Sequence, residues 1–189
     1  MSTAEKLSNM TAAEWLEWER QQVERHEFYD GEVFCQAGGT HNHSLIGSNI
    51  LGVLHEALRE SNCQVYGSDM RISIESTGSY VYPDVSVVCP PVEGEADDVI
   101  SNPVFVAEVL SQSTADFDRG TKFGYCRQIP ALKDYLVISH DQSRVEYYFR
   151  NEGEFWALRD VDGLEEVLKL VRIPHTLAKA EIYGEVEFD

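Results

Sequence analysis

Tyr82-Pro83-Asp84-Val85-Ser86-Val87-Val88 and Val104-Phe105-Val106-Ala107-Glu108-Val109-Leu110 are two apolar stretches that each carry one acid. The surrounding Val, Phe, Ala and Leu are the residues a buried strand selects, which places Asp84 and Glu108 in or at the edge of a sheet. A carboxylate withdrawn from water is costly unless something pairs with it, and one divalent cation compensates two acids at once. Magnesium suits an all-oxygen donor set. It keeps several waters and is usually held by one or two carboxylates plus substrate phosphate oxygens. Mn²⁺ is its expected substitute, and the main-chain carbonyl of Val109 offers a third oxygen. Lys122 follows on a predicted helix, sharing a face with Tyr125 and Ile129. From there its amine is aimed back at the sheet edge, where a positive charge stabilises a nucleophile or the charge developing on phosphorus. The catalytic candidates are therefore Asp84, Glu108 and Lys122, and the metal candidates Asp84, Glu108 and Val109. Each residue alone reads more simply as structural; the combination points to chemistry.

Outward from these stretches, the chain reads as a mixed α/β fold. Thr11 with Glu14 three residues later is a capping-box signature for a first helix carrying Trp15, Leu16, Trp18 and Val23. Arg25–Tyr29 and Glu32–Ala37 flank Asp30-Gly31, a strong two-residue hairpin signal. Helical spacing of Ile46, Ile50, Leu51, Val53, Leu54 and Leu58 predicts a core helix from His43 to about Glu60. Three strands follow: Cys63–Ile74, bent near Gly67; Tyr82–Cys89; and Pro103–Leu110. The polar stretch Ser111–Asp118, with Asp118 as a cap, leads into the Lys122 helix, which stops before Pro130. Strands over Asp134–Ser139, Val145–Arg150 and Phe155–Leu158 come next, then a strand in Val167–Ile173 and a short helix in Leu177–Tyr183. The core order is helix, strand, strand, strand, helix, strand, with a central sheet and helices packed on it.

At 189 residues the expectation is one domain, residues 1–24 forming an N-terminal helix and 25–189 the hairpin, core and C-terminal strands. No run approaches the length of a membrane span, and no basic-then-apolar leader is visible at the N-terminus, so a cytoplasmic protein with no membrane partner is expected. Cys35, Cys63, Cys89 and Cys126 are widely spaced without a CxxC pair, which fits buried thiols better than zinc ligands or a disulfide framework. The net charge of -18 sits against a nucleic-acid role, because such binders usually present a basic face. Acid clusters at the N-terminus, at Glu93–Asp98 and at Asp160–Glu166 put part of that charge on the periphery.

Pro83-Asp84, Glu108-Val109-Leu110 and the αβββαβ order resemble the PD-(D/E)XK nuclease superfamily. The stretches Tyr82–Val88, Val106–Thr114, Asp118–Tyr125 and Leu132–Ser139 more closely resemble its Uma-type restriction-endonuclease-like family, over most of the chain from about Phe28 to Tyr183. That resemblance implies a restriction-endonuclease-like core, magnesium-dependent hydrolysis of phosphodiester bonds in DNA, and homodimers or higher homo-oligomers. It carries over Asp84 and Glu108 as metal ligands and Lys122 as the catalytic lysine. The superfamily motif has its lysine two residues after the acid, where this chain has Leu110; Lys122 would serve from the neighbouring helix. Glu32, beside the hairpin turn, and His43, opening the core helix, are accessory candidates with bland alternatives as a solvated acid and a helix cap; His41 is less favoured.

The main rival is a nuclease-fold binding or assembly module with a silent site, motivated by the acidity. A nucleophilic triad has no GxSxG to support it, and a zinc hydrolase has no HExxH. The late aromatics Tyr147, Tyr148, Phe149, Phe155 and Trp156 suit either a dimer interface or the core.

Overall fold

Turn chemistry fixes the N-terminal hairpin. Asp30 and Gly31 take φ of 47° and 83°, a primed two-residue turn whose twist matches the strands it joins. Strands β1 (His26–Tyr29) and β2 (Glu32–Cys35) pair across it with Tyr29 opposite Glu32. The computed structural model describes residues 10–36, 38–111, 117–150 and 155–188. Ala37 and residues 112–116, the latter within the expected capping stretch, lie outside that set. Helix α1 (Ala12–Glu19) has the expected capping box: Thr11 Oγ1 accepts the Glu14 N–H while the Glu14 carboxylate accepts the Thr11 N–H. Helix α2 (His41–Leu58) is capped by Thr40.

The remaining strands are β3 (Gln64–Gly67), β4 (Arg71–Ile74), β5 (Ser79–Val81), β6 (Val85–Val88), β7 (Val99–Ile100), β8 (Phe105–Val109), β9 (Asp134–Ile138), β10 (Val145–Arg150), β11 (Trp156–Val161), β12 (Val167–Lys169) and β13 (Thr176–Ala178). They form two sheets and a ribbon. The larger sheet has the order β11-β10-β9-β8-β6-β3, the smaller β2-β1-β5-β4-β7, and β12 pairs with β13. Only β8 and β9 run parallel in the larger sheet, so the chain between them must cross over. That crossover holds a π-helical turn (Asp118–Lys122) running into α3 (Phe123–Cys126). A last short helix, α4 (Lys179–Ile182), follows β13.

One predicted strand, Cys63–Ile74, proves to be two strands in different sheets, and the predicted strand Tyr82–Cys89 shortens to β6, with β5 an additional strand before it. Cys63–Ile74 turns over between Gly67 and Arg71, with the Met70 N–H bonded to the Gly67 carbonyl, so β3 belongs to the larger sheet and β4 to the smaller. Strand β5 ends at Val81 and β6 begins at Val85. Pro83 has no N–H to donate to a ladder, and Tyr82-Pro83-Asp84 becomes the segment that passes from one sheet to the other. The single central sheet expected from sequence is thus two.

The larger sheet is covered on both faces, and β8 shows how. Phe105, Ala107 and Val109 face a core with Ile46, Ile50 and Leu54 of α2. Val106 and Leu110 face the other way, into a core with Tyr29, Ile72, Ile74 and Val81 of the smaller sheet and Phe123 and Cys126 of α3. By strand alternation Glu108 faces this second layer. Helix α1 closes the far side of the smaller sheet, Trp15 stacking on Phe28 and Tyr80. The late aromatics are mostly core: Tyr147 is buried, Phe149 is packed on the first layer, and Tyr148 and Trp156 contact Phe123; Phe155 alone is largely exposed.

The cysteine expectation needs correcting. Cys63 and Cys89 form a disulfide, one step beyond the Gln64–Val88 pair of the β3/β6 register; antiparallel pairing brings together two positions that are 26 apart in sequence. Cys126 is a buried thiol and Cys35 a half-buried one. Among the described residues no helix is long and apolar enough to cross a membrane.

Candidate metal and catalytic site

The second layer ends in a polar cluster where β8, β1, the π-helical turn and the sheet-to-sheet crossover meet. Glu108 is buried, and its Oε2 accepts a hydrogen bond from Lys122 Nζ at 2.9 Å. Its Oε1 is also buried and has no hydrogen-bond partner among the described residues. Lys122 Nζ additionally lies 2.8 Å from Glu27 Oε1 and donates to the Tyr82 carbonyl at 3.3 Å. An ammonium has three donors, and these three acceptors use them all.

Glu27 is fixed in turn. It accepts from the Tyr82 N–H at 2.9 Å and from Tyr29 Oη at 2.7 Å. Gln36 Nε2 bridges Glu27, at 3.4 Å, and the Tyr82 carbonyl, at 2.8 Å. Both main-chain groups of Tyr82 are therefore tied to the cluster, which holds the crossover and so positions Asp84 two residues later. Asp84 Oδ2 accepts the Val109 N–H at 2.7 Å. In an extended strand the N–H and C=O of one residue point to the same edge, so the Val109 carbonyl is aimed to Asp84's side of β8. The next N–H, that of Leu110, bonds to Ile138 on the opposite edge.

His43 stands across from Asp84, Nε2 to Oδ2 3.5 Å. It occupies the first turn of α2, where its N–H donates to the Thr40 cap. The backbone before the helix passes close to the ring: a Cβ on Gly39 would lie 2.5 Å from His43 Nδ1, so a side chain there would displace the imidazole. Asp84, Glu108, Val109, Lys122 and His43 all line one cavity of about 790 Å³.

The structure gathers these five expected residues at one cavity, leaves Glu32 outside it and gives Asp118 a different place from the one expected. Glu32 is exposed and does not line the cavity; Glu27 does. The two acids share a face of the hairpin, because Glu32 pairs with Tyr29 and Tyr29 is two residues from Glu27; Glu32 sits at the turn end, beyond reach. Glu27 carried the same signal as Glu108, an acid in a strand that otherwise buries its side chains. Asp118 was expected to cap the helix. It lies within the π-helical turn, buried and lining the cavity, and the residue before it, Phe117, is already helical.

The electrostatics follow from burial. Burial pushes the Glu108 carboxyl well above its ordinary pKa; Lys122 opposes this, while Asp84, Asp118 and Glu27 add to it. For Lys122, burial works to remove the proton, but Glu108, Glu27 and Asp118 outweigh it and hold the pKa well above the ordinary value. Four carboxyl groups face one ammonium. The missing positive charge, the unpartnered Glu108 Oε1 and the hard oxygen character of the donors together fit a small divalent cation.

Residues 12–179 match the Uma2 family, described as "Putative restriction endonuclease". The chain belongs to the Uma2 family. Two proteins of Synechocystis sp. (strain ATCC 27184 / PCC 6803 / Kazusa) are similar to this Uma2 chain along most of their length. Uncharacterized protein slr1290 is 33% identical over 187 residues, 99% of this chain and 98% of its own. Uncharacterized protein sll1609 is 38% identical over 156 residues, 82% of this chain and 88% of its own. The fold is shared with a crystal structure from Anabaena variabilis ATCC 29413, titled as a putative nuclease belonging to DUF820. The TM-score is 0.76 at 16% identity, covering 93% of this chain and 98% of that one. In the Uma2 chain Leu110, two residues after Glu108, is a buried member of the second core, and the ammonium beside Glu108 comes from the crossover instead.

Proposed function

We propose that this Uma2 protein is a metal-dependent endonuclease that hydrolyses phosphodiester bonds in DNA. The observation that carries the reading is the buried, unpartnered Oε1 of Glu108, an acid that lines the same cavity as Asp84. A buried acceptor left unsatisfied is costly, and a metal ion removes that cost. Asp84, Glu108 and the Val109 carbonyl would hold Mg²⁺, with Mn²⁺ as substitute. When bound, the ion lowers the pKa of water and polarises the phosphate.

The protein's own part is positional. Lys122 fixes the second oxygen of Glu108, and because its neighbours keep it protonated it acts as a fixed positive charge and not as a base. Asp84 is oriented by the Val109 N–H, and His43 stands on its outer side, where it can position a phosphate oxygen or a water. DNA as substrate rests on the family description. A duplex has two strands, so a homodimer acting in the cytoplasm is the working unit of this proposal.

The acidity favours one rival, a nuclease-fold module whose site is silent. Nicking of supercoiled plasmid in Mg²⁺ or Mn²⁺ separates the two. The expected result is metal-dependent nicking that falls to background in Asp84→Ala and Glu108→Gln, each checked for native circular dichroism. Equal nicking by wild type and both variants would sink the enzyme reading. Calorimetric Mn²⁺ binding that is lost in Asp84→Ala is expected alongside; binding unaffected by that change would place the metal elsewhere.

A further inference from the structure

On the face of the hairpin opposite Glu27, a second group of side chains is assembled from different chemistry. Glu24, His26 and Cys35 each offer a ligand atom, and these atoms lie within 4.8 Å of one another. Among the described residues it is the only such triplet. We propose that Glu24, His26 and Cys35 form a second metal site, suited to Zn²⁺ and chemically distinct from the oxygen-lined one.

The register builds it. His26 and Cys35 are directly opposed in the β1/β2 ladder. The neighbouring pair is joined by the Gln36 N–H to Arg25 carbonyl bond, which makes His26–Cys35 the non-hydrogen-bonded kind of pair, whose side chains come closest. Glu24, two residues before His26, already stands 3.6 Å from Cys35 Sγ through Oε2. Ligands around tetrahedral zinc, with bonds of about 2.0–2.3 Å, are separated by about 3.3–3.8 Å, so little movement closes the set. Arg25, between two of the ligands, does not compete: its guanidinium turns away to Ser68 and Asp69.

What distinguishes this group from a chance surface cluster is the support behind His26. Glu19 is buried, and it holds both the His26 N–H, at 2.9 Å, and His26 Nδ1, at 3.0 Å. Tyr82 Oη donates to the same carboxylate at 3.0 Å, and the Trp18 ring packs on the imidazole with centroids 4.9 Å apart. A carboxylate on one ring nitrogen fixes the tautomer and leaves the other nitrogen as the basic ligand atom, the arrangement found behind metal-binding histidines. A thiolate, an imidazole and one carboxylate select a borderline-soft ion such as zinc over magnesium. Three protein ligands leave a fourth position for water, and binding releases the Cys35 thiol proton to solvent. Glu24 and Cys35 also border the 790 Å³ cavity, but the assignment does not depend on what that cavity does.

Cobalt substitution reports the thiolate directly. Titrating the full chain with Co²⁺ is expected to give a near-ultraviolet thiolate-to-cobalt charge-transfer band with visible ligand-field bands, saturating at one ion per chain and displaced by Zn²⁺. The band is expected to persist in Asp84→Ala and to vanish in Cys35→Ser. Affinity should fall by about 10–100-fold in Glu19→Gln, which alters the support and leaves the three ligands in place, and should also fall in Glu24→Gln, an exposed position that does not endanger folding. Absence of the band in wild type, its survival in Cys35→Ser, or unchanged affinity in both glutamine variants overturns the assignment. Weak ligand-field bands without a thiolate band, lost in Asp84→Ala and unaffected by Cys35→Ser, would show that cobalt occupies only the oxygen site and would likewise overturn it.

Discussion

Lys122 is the residue on which the cluster turns, because it neutralises Glu27 and Glu108 at once while almost wholly removed from water. Breaking a buried pair by deleting one partner leaves an uncompensated group behind and typically costs about 3–5 kcal/mol. Lys122→Met keeps most of the volume and is expected to destabilise the protein by that amount in urea unfolding. The double variant Lys122→Met/Glu108→Gln should recover part of the loss, since it also removes one of the stranded acids. A single-variant change within about 0.5 kcal/mol, the size of an ordinary surface substitution, would show that the ammonium is not holding the cluster together.

Among the elements, α1 is attached to the smaller sheet by apolar stacking, by the bonds of Glu19 to His26, and by an ionic clamp at Asp98. Asp98 receives a bidentate pair from Arg20 of α1's C-terminus, at 2.8 and 3.0 Å, and a further bond from Arg71 of β4. The Arg20 hydrogen bond lowers the Asp98 pKa from 3.8 to about 2, against the opposing effect of burial and with further help from the Arg71 and Arg20 charges. A depressed folded-state pKa stabilises above the unfolded value and loses that contribution as pH falls toward the folded one. Asp98→Asn should therefore lower Tm at pH 6, and the difference from wild type should shrink between about pH 4 and pH 2. The pair is about two-fifths exposed, so solvent and salt limit its size and added KCl should narrow the gap as well. A difference that stays constant through that window would rule the clamp out.

The same elements show what sequence could carry. The capping box of α1 and the Asp30-Gly31 turn are written in local residues, and both were readable. Asp84 and Glu108 stood out as acids in apolar stretches, and the crossover lysine followed from spacing. The division into two sheets was not readable, because the break at Gly67 is short enough to pass as a bend, the three residues of β5 are too few to stand out, and strand pairing is decided by distant partners. Strand β7 is two residues long and runs parallel to β4, which no local pattern specifies. Glu27 was overlooked because its strand is short and opens on His26, while Asp118 resembled a cap until packing buried it.

At the scale of the whole molecule the charge of -18 governs how a phosphodiester would approach. A binder with a basic face releases counterions, and its affinity falls steeply with salt, with a logarithmic slope of about -0.9 per phosphate neutralised. Here Glu93, Glu95, Asp97, Asp160 and Glu165 are exposed, and the side-chain cations bordering the cavity are Lys122, deep within it, and Arg25, already paired with Asp69, with the proposed metal adding to them. Long-range forces on DNA are then repulsive, and salt screens them: the Debye length contracts from about 30 Å at 0.01 M to about 10 Å at 0.1 M. For the proposed nuclease, kcat/KM for plasmid nicking at constant Mg²⁺ should therefore stay level or rise as KCl increases across about that range. A slope as negative as that of a basic binder would mean that a partner surface, or a second metal ion, supplies a positive face to the DNA. Repeating the titration with and without Zn²⁺ decides between those two, because only an ion held at the rim by Glu24, His26 and Cys35 makes the slope depend on zinc.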